Sequence, residues 1–507
     1  LAAYSAAERG VGADALKYLE RGKARILAHR LSLDRAAFHR LDATLQARYR
    51  KQIDILTDLE YRLHQQGLSP EAYLDRVSDL KNERIALDAV IREIRNSNPE
   101  FLQRDVAAFT AVQSVIPDRE TVFAALCVTD HGSALLTVPH PDRMDTGWTV
   151  CRTIPGFTTR DASRLNRQWL TVCNTLKVSR RTAEDIAAFE TGVTKVISEL
   201  YPSLFRELDR AMHRHGIRRM VLAPHGFLNV LPLHLIRDDA GAHLFEKYEI
   251  TYVPSASAWY HVEVSTREHV PDIDHFLGIA NPTGDLQFAN AEIRSAARYF
   301  GSSQMLSGEM ATSDAVLAES SGATVFHAAC HGIFDQSNPE KTGLVLAAVG
   351  NDNPPANGSD SSMANDAAMS PDRAVFFTPG SSPSPSDRGN VLTLTDISHR
   401  LDLRRARLAV LSACESGLVI TGQASDEVIG LPAAFLRAGA DAVISSLWLV
   451  DDARSRDLID AFYVGYRQQR MSPAAALRSA QCRMLAEGIG FYYWGGFVVT
   501  GGLKNCF

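Results

Sequence analysis

The first hundred residues carry apolar side chains at intervals of three and four, which is the spacing of one face of an amphipathic helix. One such series runs over residues 16–63 and a second over residues 73–94. The pair Ser69-Pro70 lies between them and is typical of a helix start. We therefore predict that residues 1–104 form long antiparallel helices, packed as a hairpin or as the end of a helical repeat array.

Beyond about residue 105 the apolar positions fall in short continuous runs instead. A short continuous run is typical of a parallel strand that is buried on both faces. From residue 275 onward these runs alternate with helical patterns, which predicts an α/β layered domain. The predicted strands are residues 276–280, 323–329, 343–347, 408–413 and 442–448, and the predicted helices are residues 313–319, 427–438, 453–469 and 472–486.

The segment before residue 275 is predicted to contain strands as well. Residues 121–128 and 133–138 have the pattern of a strand pair, and residues 220–223 and 249–253 have the pattern of two further strands. A largely helical stretch at residues 186–213 precedes the last two. The α/β pattern thus has an earlier part before residue 275 and a second part from residue 275 onward.

One segment interrupts the second α/β part. Residues 351–390 contain 17 Gly, Pro or Ser among 40 residues. Such a composition cannot bury enough apolar surface to order the chain. We therefore predict a flexible insertion at 351–390.

Composition narrows the class of protein. The chain has 507 residues, of which 45% are hydrophobic and 22% charged, and its formal net charge is −6. The charge argues against a bulk nucleic-acid binder, and no apolar run reaches the roughly 18 residues that span a bilayer. Seven cysteines without a CxxC pair favour a reducing cytoplasm over a disulfide framework. The chain begins at Leu1 without a Met, and its first residues do not have the pattern of a signal peptide.

Two predicted strands end in residues that can carry chemistry. The strand at 323–329 runs into His331-Gly332, and the strand at 408–413 runs into Cys414. Ligands of parallel α/β sheets bind beyond the carboxyl ends of the strands. If the two strands are neighbours, His331 and Cys414 meet at one edge of the sheet.

A histidine beside a cysteine is the minimal equipment for nucleophilic hydrolysis. An imidazolium stabilises the thiolate, which attacks a carbonyl carbon, and the imidazole then serves as general acid and base. The backbone amides of Gly332 and Cys414 are the candidates for an oxyanion hole. The spacing indicates no third acidic residue, so we expect a backbone carbonyl to orient His331.

Two simpler interpretations stay open at this point. His331 and Cys414 can be a core histidine and a buried structural thiol, since both residue types are common in cores. His327, Cys330 and His331 can be considered as zinc ligands, but residues 327 and 330 point to opposite faces of a strand. We therefore predict no metal and no cofactor, and we expect His327 to be a hydrogen-bonded strand residue that supports His331.

Motif blocks in a fixed order extend this picture. They are residues 221–226, 230–235, 254–257, 281–282, 289–292, 327–335, 342–347, 408–417, 428–431, 446–452 and 492–494. In these blocks the chain resembles the CHAT peptidases, caspase-like cysteine proteases related to separases and often fused to tetratricopeptide repeats. The resemblance covers roughly residues 110–500, and it places the family's catalytic histidine on His331 and its nucleophile on Cys414.

The resemblance also implies an architecture and an activity. It implies a caspase-like α/β/α sandwich in which an inactive half, 105–269, packs beside a catalytic half, 270–507, after a repeat-like helical lead-in. It implies a cytoplasmic endopeptidase that cleaves a protein substrate and is latent until a partner protein activates it, with bacterial defence or programmed cell death as the setting by analogy. A non-catalytic scaffold that binds partners through its helices is the alternative, and a cysteine hydrolase or acyltransferase acting on non-peptide esters or amides is a third class. No membrane or direct nucleic-acid partner is expected.

The residues after the strand at 442–448 are candidates for the substrate pocket. Trp448 and Asp451 would line its wall, and an acidic residue there would pair with a basic side chain of the substrate, as separase-like relatives prefer. The alternative is that Asp451 and Asp452 cap the helix that begins near Ala453, and that Trp448 belongs to the core. We favour the cap and the core.

Overall fold

The structure is a computed structural model of the 507-residue chain. It describes residues 1–21, 23, 41–63, 70–97, 109–146, 148, 150–178, 181–264, 274–335, 341–348, 391–413, 416–420, 428–449 and 452–503. The insertion predicted at 351–390 lies outside these residues.

The described residues contain a strand at each segment where the sequence predicts one. The strands are β1 (Thr121–Thr129), β2 (Gly132–Pro139), β3 (Cys151–Ile154), β4 (Arg219–Ala223), β5 (Glu249–Tyr252), β6 (His275–Ala280), β7 (Ser302–Ser307), β8 (Val325–Ala329), β9 (Gly332–Ile333), β10 (Gly343–Val345), β11 (Val391–Thr393), β12 (Leu408–Ser412), β13 (Val419–Ile420), β14 (Ile429–Gly430), β15 (Ala442–Ser446) and β16 (Phe497–Gly501).

The helices are α1 (Ala2–Glu8), α2 (Gly12–Glu20), α3 (Ala43–Leu63), α4 (Pro70–Ser97), α5 (Phe109–Ser114), α6 (Thr159–Val178), α7 (Ala183–Ser198), α8 (Arg206–Arg214), α9 (Leu244–Lys247), α10 (Ala256–Val264), α11 (Ala289–Ala297), α12 (Ser313–Glu319), α13 (Leu394–His399), α14 (Leu431–Ala438), α15 (Asp452–Tyr463) and α16 (Pro473–Ala486). None of the helices that the structure describes is both long and apolar enough to cross a bilayer.

One sheet of eleven strands organises the molecule, in the order β3-β2-β1-β4-β5-β16-β15-β12-β8-β6-β7. We call β1 to β5 the first half-sheet, and β6, β7, β8, β12 and β15 the second half-sheet. β16 joins them, since it runs antiparallel to β15 and parallel to β5. Within the second half-sheet the neighbouring strands are parallel. Its strands therefore all end at the same edge.

Helices cover both faces of the sheet, which explains why central strands such as β8 and β12 are buried on both faces and mostly apolar. On β8, Val325 and Ala329 belong to the core on one face, whereas Phe326 and Ala328 belong to the core on the other. Helices α6 to α8, α11, α15 and α16 contribute side chains to the first of these cores. On the opposite face α12 to α14 cover the second half-sheet, and α1, α2, α5 and α10 cover the first. The predicted α/β sandwich is confirmed.

One predicted strand pairs in a way that differs from the sequence prediction. Residues 343–347 were expected to be a buried parallel strand, but β10 lies in a separate small sheet, antiparallel to both β9 and β11. The prediction of a parallel strand there is wrong. Leu344 is nonetheless buried, against the same core as Phe326. A short apolar run indicates burial, and it does not specify which strand it pairs with.

Several helix ends follow their capping signals. Helix α12 has the predicted bounds, and the Thr312 hydroxyl accepts a hydrogen bond from the amide of Ala315 at its start. The Ser472 hydroxyl caps α16 in the same way, accepting from the amide of Ala475 at 3.1 Å. Gly439 follows α14 with φ of 118°, a left-handed conformation that favours glycine.

The helical lead-in divides into two pieces. Helices α3 and α4 pack as a hairpin around a core of their own that includes Tyr49, Leu56 and Ile91. Helices α1 and α2 instead belong to the outer layer of the first half-sheet, where Leu16 joins the same core as Trp259. The domain boundaries at residues 104 and 269 stay predictions.

A buried histidine ties the half-sheets together beside β16. One ring nitrogen of His234, Nδ1, lies 3.0 Å from the Tyr252 hydroxyl, and Nε2 lies 2.9 Å from the Gly495 carbonyl oxygen. Burial lowers the pKa of His234 to about 3, so the ring is neutral at pH 7. The contact links the end of β5 to the residues just before β16.

Candidate active site

The two strands that carry the predicted dyad are neighbours. β8 and β12 pair in parallel, and Ala329 lies opposite Ser412. His331 and Cys414 each come two residues after these paired positions. Cys414 itself lies outside the described residues. The predicted adjacency of the two strands is confirmed.

His331 lies where the chain leaves the large sheet for the small one. It follows β8 and precedes β9, and its carbonyl oxygen accepts a hydrogen bond from the amide of Val345 at 2.9 Å. Its side chain is 38% exposed, so the imidazole is accessible from solvent. Gly332, the predicted oxyanion donor, lies opposite Leu344 of β10. Its role in an oxyanion hole stays a prediction.

An acidic side chain contacts His331. Both carboxylate oxygens of Asp285 lie 3.0 Å from the Nε2 atom of His331, and the carboxylate is 45% exposed. Asp285 comes five residues after the end of β6, the other neighbour of β8 in the sheet. The pair is therefore assembled at the carboxyl edge from two adjacent strands.

The loop that carries Asp285 is held by a network of hydrogen bonds. Asn281 has a φ of 47°, and its amide donates to the carbonyl of Ala329 at 2.9 Å. The Asn281 side chain accepts from the amide of Leu286 at 2.9 Å, which closes the loop on itself. The hydroxyl of Thr283 donates to the carboxylate of Asp285. The chain is thus anchored to β8 on the way to the acid.

The Asp285 carboxyl is stabilised in its ionised form. Partial burial alone would raise its pKa, but the hydrogen bonds from Thr283 and His331 outweigh this effect. The net result is a pKa of Asp285 below its usual value. A carboxylate therefore faces the imidazole at neutral pH.

Sequence reasoning did not find Asp285. It anticipated a backbone carbonyl as the partner of His331, and the structure places a carboxylate there instead. The two residues are 46 positions apart, so no local motif contains both. The available signal is an acid shortly after a strand that neighbours the histidine's strand, and this signal becomes visible only when the strand order is known.

His327 is a fully buried strand residue with partners on both ring nitrogens. Its Nε2 atom lies 2.9 Å from a carboxylate oxygen of Glu292, and its Nδ1 atom lies 3.3 Å from the hydroxyl of Tyr463. Cys330 belongs to the core on the opposite face of the sheet. Within the described ranges, no three His, Cys, Asp or Glu side chains are grouped in a way that could hold a metal ion.

The chain just after Cys414 is anchored to the next strand, β15. The amide of Gly417 donates to the carbonyl of Ser446 at 2.7 Å, and the hydroxyl of Ser416 accepts from the Ser446 amide at 3.1 Å. A Cβ atom at Gly417 would lie 3.0 to 3.1 Å from atoms of Ser445 and Ser446. This close approach explains the glycine three residues after the cysteine.

The structure describes one of the two candidate pocket residues, Trp448. Trp448 is only 2% exposed, and its indole N–H donates to the carbonyl of Tyr492 at 2.8 Å. Its ring packs edge-on against Trp169 and Phe189. Trp448 therefore lies in the core, which is the interpretation that the sequence favours, and its alternative role as a pocket wall stays a prediction. Asp451 lies outside the described residues.

A mostly apolar groove lies between the two half-sheets near Gly417. Leu231 and Val253 line it from the first half, and Val419 and Val428 line it from the second. Gly417, three residues after Cys414, also lines this groove.

The fold and the site together describe an α/β protein with candidate catalytic residues at one edge of its sheet. The chain is an α/β sandwich with an accessible histidine–carboxylate pair at the carboxyl edge of its sheet, beside a strand that leads to a cysteine. The CHAT domain family matches residues 194–502, which is more than half of the chain. The chain belongs to the CHAT family.

Curated relatives contain tetratricopeptide repeats. Tetratricopeptide repeat protein 28 of Homo sapiens is 28% identical over 313 residues, which cover 56% of this chain and 12% of the human protein. The protein of the same name from Mus musculus is 28% identical over 310 residues. The chain therefore matches about an eighth of the length of these relatives.

Solved structures show distant likenesses. The separase–securin complex of Saccharomyces cerevisiae matches with 11% identity and a TM-score of 0.49, over 91% of this chain and 37% of that chain. The Arg-specific cysteine proteinase gingipain R matches with 12% identity and a TM-score of 0.36, over 68% of this chain and 76% of that chain.

Proposed function

We propose that this protein is a cysteine endopeptidase of the CHAT type, with Cys414 as nucleophile and His331 as general acid and base. The observation that carries the proposal is the register of β8 and β12, since Ala329 pairs with Ser412 and each candidate residue follows two positions later. The exposed imidazole of His331 adds to it, because a structural core histidine such as His327 is buried. Family membership adds the prior for this chemistry.

The proposed reaction needs four proton transfers at His331, two in the acylation step and two in the deacylation step. The Cys414 thiol gives its proton to the imidazole, and the sulfur attacks the carbonyl carbon of the scissile peptide. His331 then delivers the proton to the leaving amine nitrogen, the C–N bond breaks and a thioester remains on Cys414. Water attacks the thioester, and His331 takes a proton from the water. The C–S bond then breaks, the acid product leaves, and His331 returns the proton to the sulfur to restore the Cys414 thiol. The backbone amides of Gly332 and Cys414 hold the oxyanion in both the acylation and the deacylation step.

The substrate class in this proposal is protein, and the activity is under the control of a partner. The tetratricopeptide repeats in the names of the relatives support a helical lead-in that binds proteins. The α3–α4 hairpin has its own apolar core, which suits a segment that ends a repeat array. The partner is then a protein that engages this hairpin and relieves latency.

Thiol reactivity tests the proposal without knowledge of the substrate. Alkylation of Cys414 by iodoacetamide is followed from pH 6 to pH 9 by mass spectrometry of its peptide, in the intact chain and in His331→Ala. An ordinary thiol is only about 1% ionised at pH 6.5, so a dyad cysteine reacts there about tenfold faster than Cys414 in the variant. Equal rates in the two proteins would favour a non-catalytic scaffold.

A further inference from the structure

We propose that Asp285 is a positioning residue that makes the dyad of this chain a triad, by holding one ring nitrogen of His331 so that the other faces the thiol. The inference rests on the proposed function and adds a residue to it. The sequence pattern predicts a backbone carbonyl in this place, whereas the structure has the Asp285 carboxylate there.

The geometry assigns the proton on the imidazole. A carboxylate can only accept hydrogen bonds, and both oxygens of Asp285 lie 3.0 Å from Nε2 of His331. Nε2 must therefore carry the hydrogen and donate it. In the neutral ring the lone pair is then on Nδ1, which leaves Nδ1 as the atom that takes the proton from a thiol.

A carboxylate does more for this ring than a carbonyl would. When the thiol proton moves to Nδ1, the ring becomes an imidazolium, and the negative charge of Asp285 stabilises it. Asp285 takes no proton in this step. Its ionised form is already favoured by the hydrogen bond from Thr283, and Asn281 anchors the loop to β8. The acid is thus pre-positioned and charged before any substrate arrives.

Asp285 has one competing role. It is 45% exposed, so it is also placed to receive a basic side chain of a substrate. That role concerns substrate binding, and it predicts no change in the reaction of Cys414 with a small neutral reagent. A positioning role predicts such a change, because it acts through His331.

A double-mutant cycle on Cys414 alkylation by iodoacetamide tests the proposal. We expect Asp285→Asn to slow the reaction at pH 6.5 about tenfold, the size expected for a lost charge-assisted hydrogen bond at a half-exposed site. We expect His331→Ala to slow it at least as much, and the double variant to equal His331→Ala. Asp142→Asn is the matched control, because Asp142 is 51% exposed and lies 3.8 Å from His140, far along the chain from the site. It should leave the rate unchanged.

The outcomes separate the two proposals. If His331→Ala leaves the rate unchanged, the proposed function fails, whatever Asp285 does. If His331→Ala slows the reaction and Asp285→Asn does not, the function stands and the positioning role is overturned. A further slowing by Asp285→Asn in the His331→Ala background also overturns it, since the effect then bypasses the histidine. Asp285→Glu keeps the charge and should recover at least half of the logarithmic loss, which distinguishes positioning from a folding defect if Asp285→Asn is unstable.

Discussion

Each half-sheet contains a strand that is followed, two residues after its end, by histidine and glycine. The surroundings of the two His-Gly pairs differ. In the first half-sheet β4 runs into Pro224-His225-Gly226, and in the second β8 leads to His331-Gly332. The first edge is occupied by the N-terminal helices: the Lys23 ammonium donates to the carbonyl of Pro224. The second edge exposes an ionisable pair to solvent. The two His-Gly pairs therefore differ in their surroundings: a lysine contacts the residue before the first, whereas the second carries a solvent-exposed ion pair.

A second contact reinforces the first edge. The buried carboxylate of Glu20, at the end of α2, accepts hydrogen bonds from the amides of Ala256 at 3.1 Å and Ser257 at 2.7 Å. These amides lie in the first turn of α10, where backbone N–H groups have no acceptor within the helix and a negative charge is favourable. What differs between the halves is thus the set of neighbours. Glu20 and Lys23 cover the first edge, whereas Asp285 and the strand leading to Cys414 flank the second.

The largest expected effect contrasts the two histidines. His331→Ala should reduce Cys414-dependent peptide cleavage about a thousandfold, since general acid–base catalysis contributes about 10² to 10⁴ in rate. His225→Ala should leave the rate within about threefold of the intact chain. Initial rates with both variants, together with their melting temperatures, provide the measurement. Comparable losses in two equally stable variants would mean that the two edges are not functionally distinct.

A stability measurement tests whether Glu20 holds α2 against the edge of the first half-sheet. Glu20→Ala leaves two buried amides without an acceptor and should lower the free energy of unfolding by about 3 kcal/mol. Glu8→Ala, an exposed acid on α1, should change it by less than about 0.5 kcal/mol. Urea unfolding of both variants checks this. Equal effects would show that Glu20 does not hold α2 on the first half-sheet.

The stability contributed by the buried His234 beside β16 should fall at acidic pH. His234 has a folded pKa of about 3, lowered by burial, whereas the unfolded ring has its ordinary pKa near 6.5. Below the unfolded value the unfolded chain binds a proton that the folded chain does not, so stability is lost as the pH falls. From pH 7 to pH 5 this amounts to about 2 kcal/mol. His234→Gln should be less stable at pH 7 and should lose less between the two values, and an unchanged pH dependence would contradict the assignment.

The parts of the fold that sequence could predict are those set by local pattern. The apolar runs of β8 and β12 indicate burial on both faces, and the residues that follow them are chemically distinctive. The features that the sequence did not predict depend on pairing between distant segments of the chain. β16 was not predicted as the strand that joins the halves, and β10 was predicted to be parallel but is antiparallel to β9 and β11. Asp285 meets His331 only because β6 lies beside β8. Local pattern encodes burial and turn chemistry, whereas strand order arises from the packing of the whole chain.

The most direct test of the central claim is N-terminal proteomics on a source-cell lysate treated with the intact chain, Cys414→Ala or His331→Ala. We expect new N-termini with the intact chain, after a consistent residue type, and their absence with both variants. New N-termini that persist with Cys414→Ala would contradict the account, as would identical profiles from a chain whose Cys414 alkylates no faster than in His331→Ala.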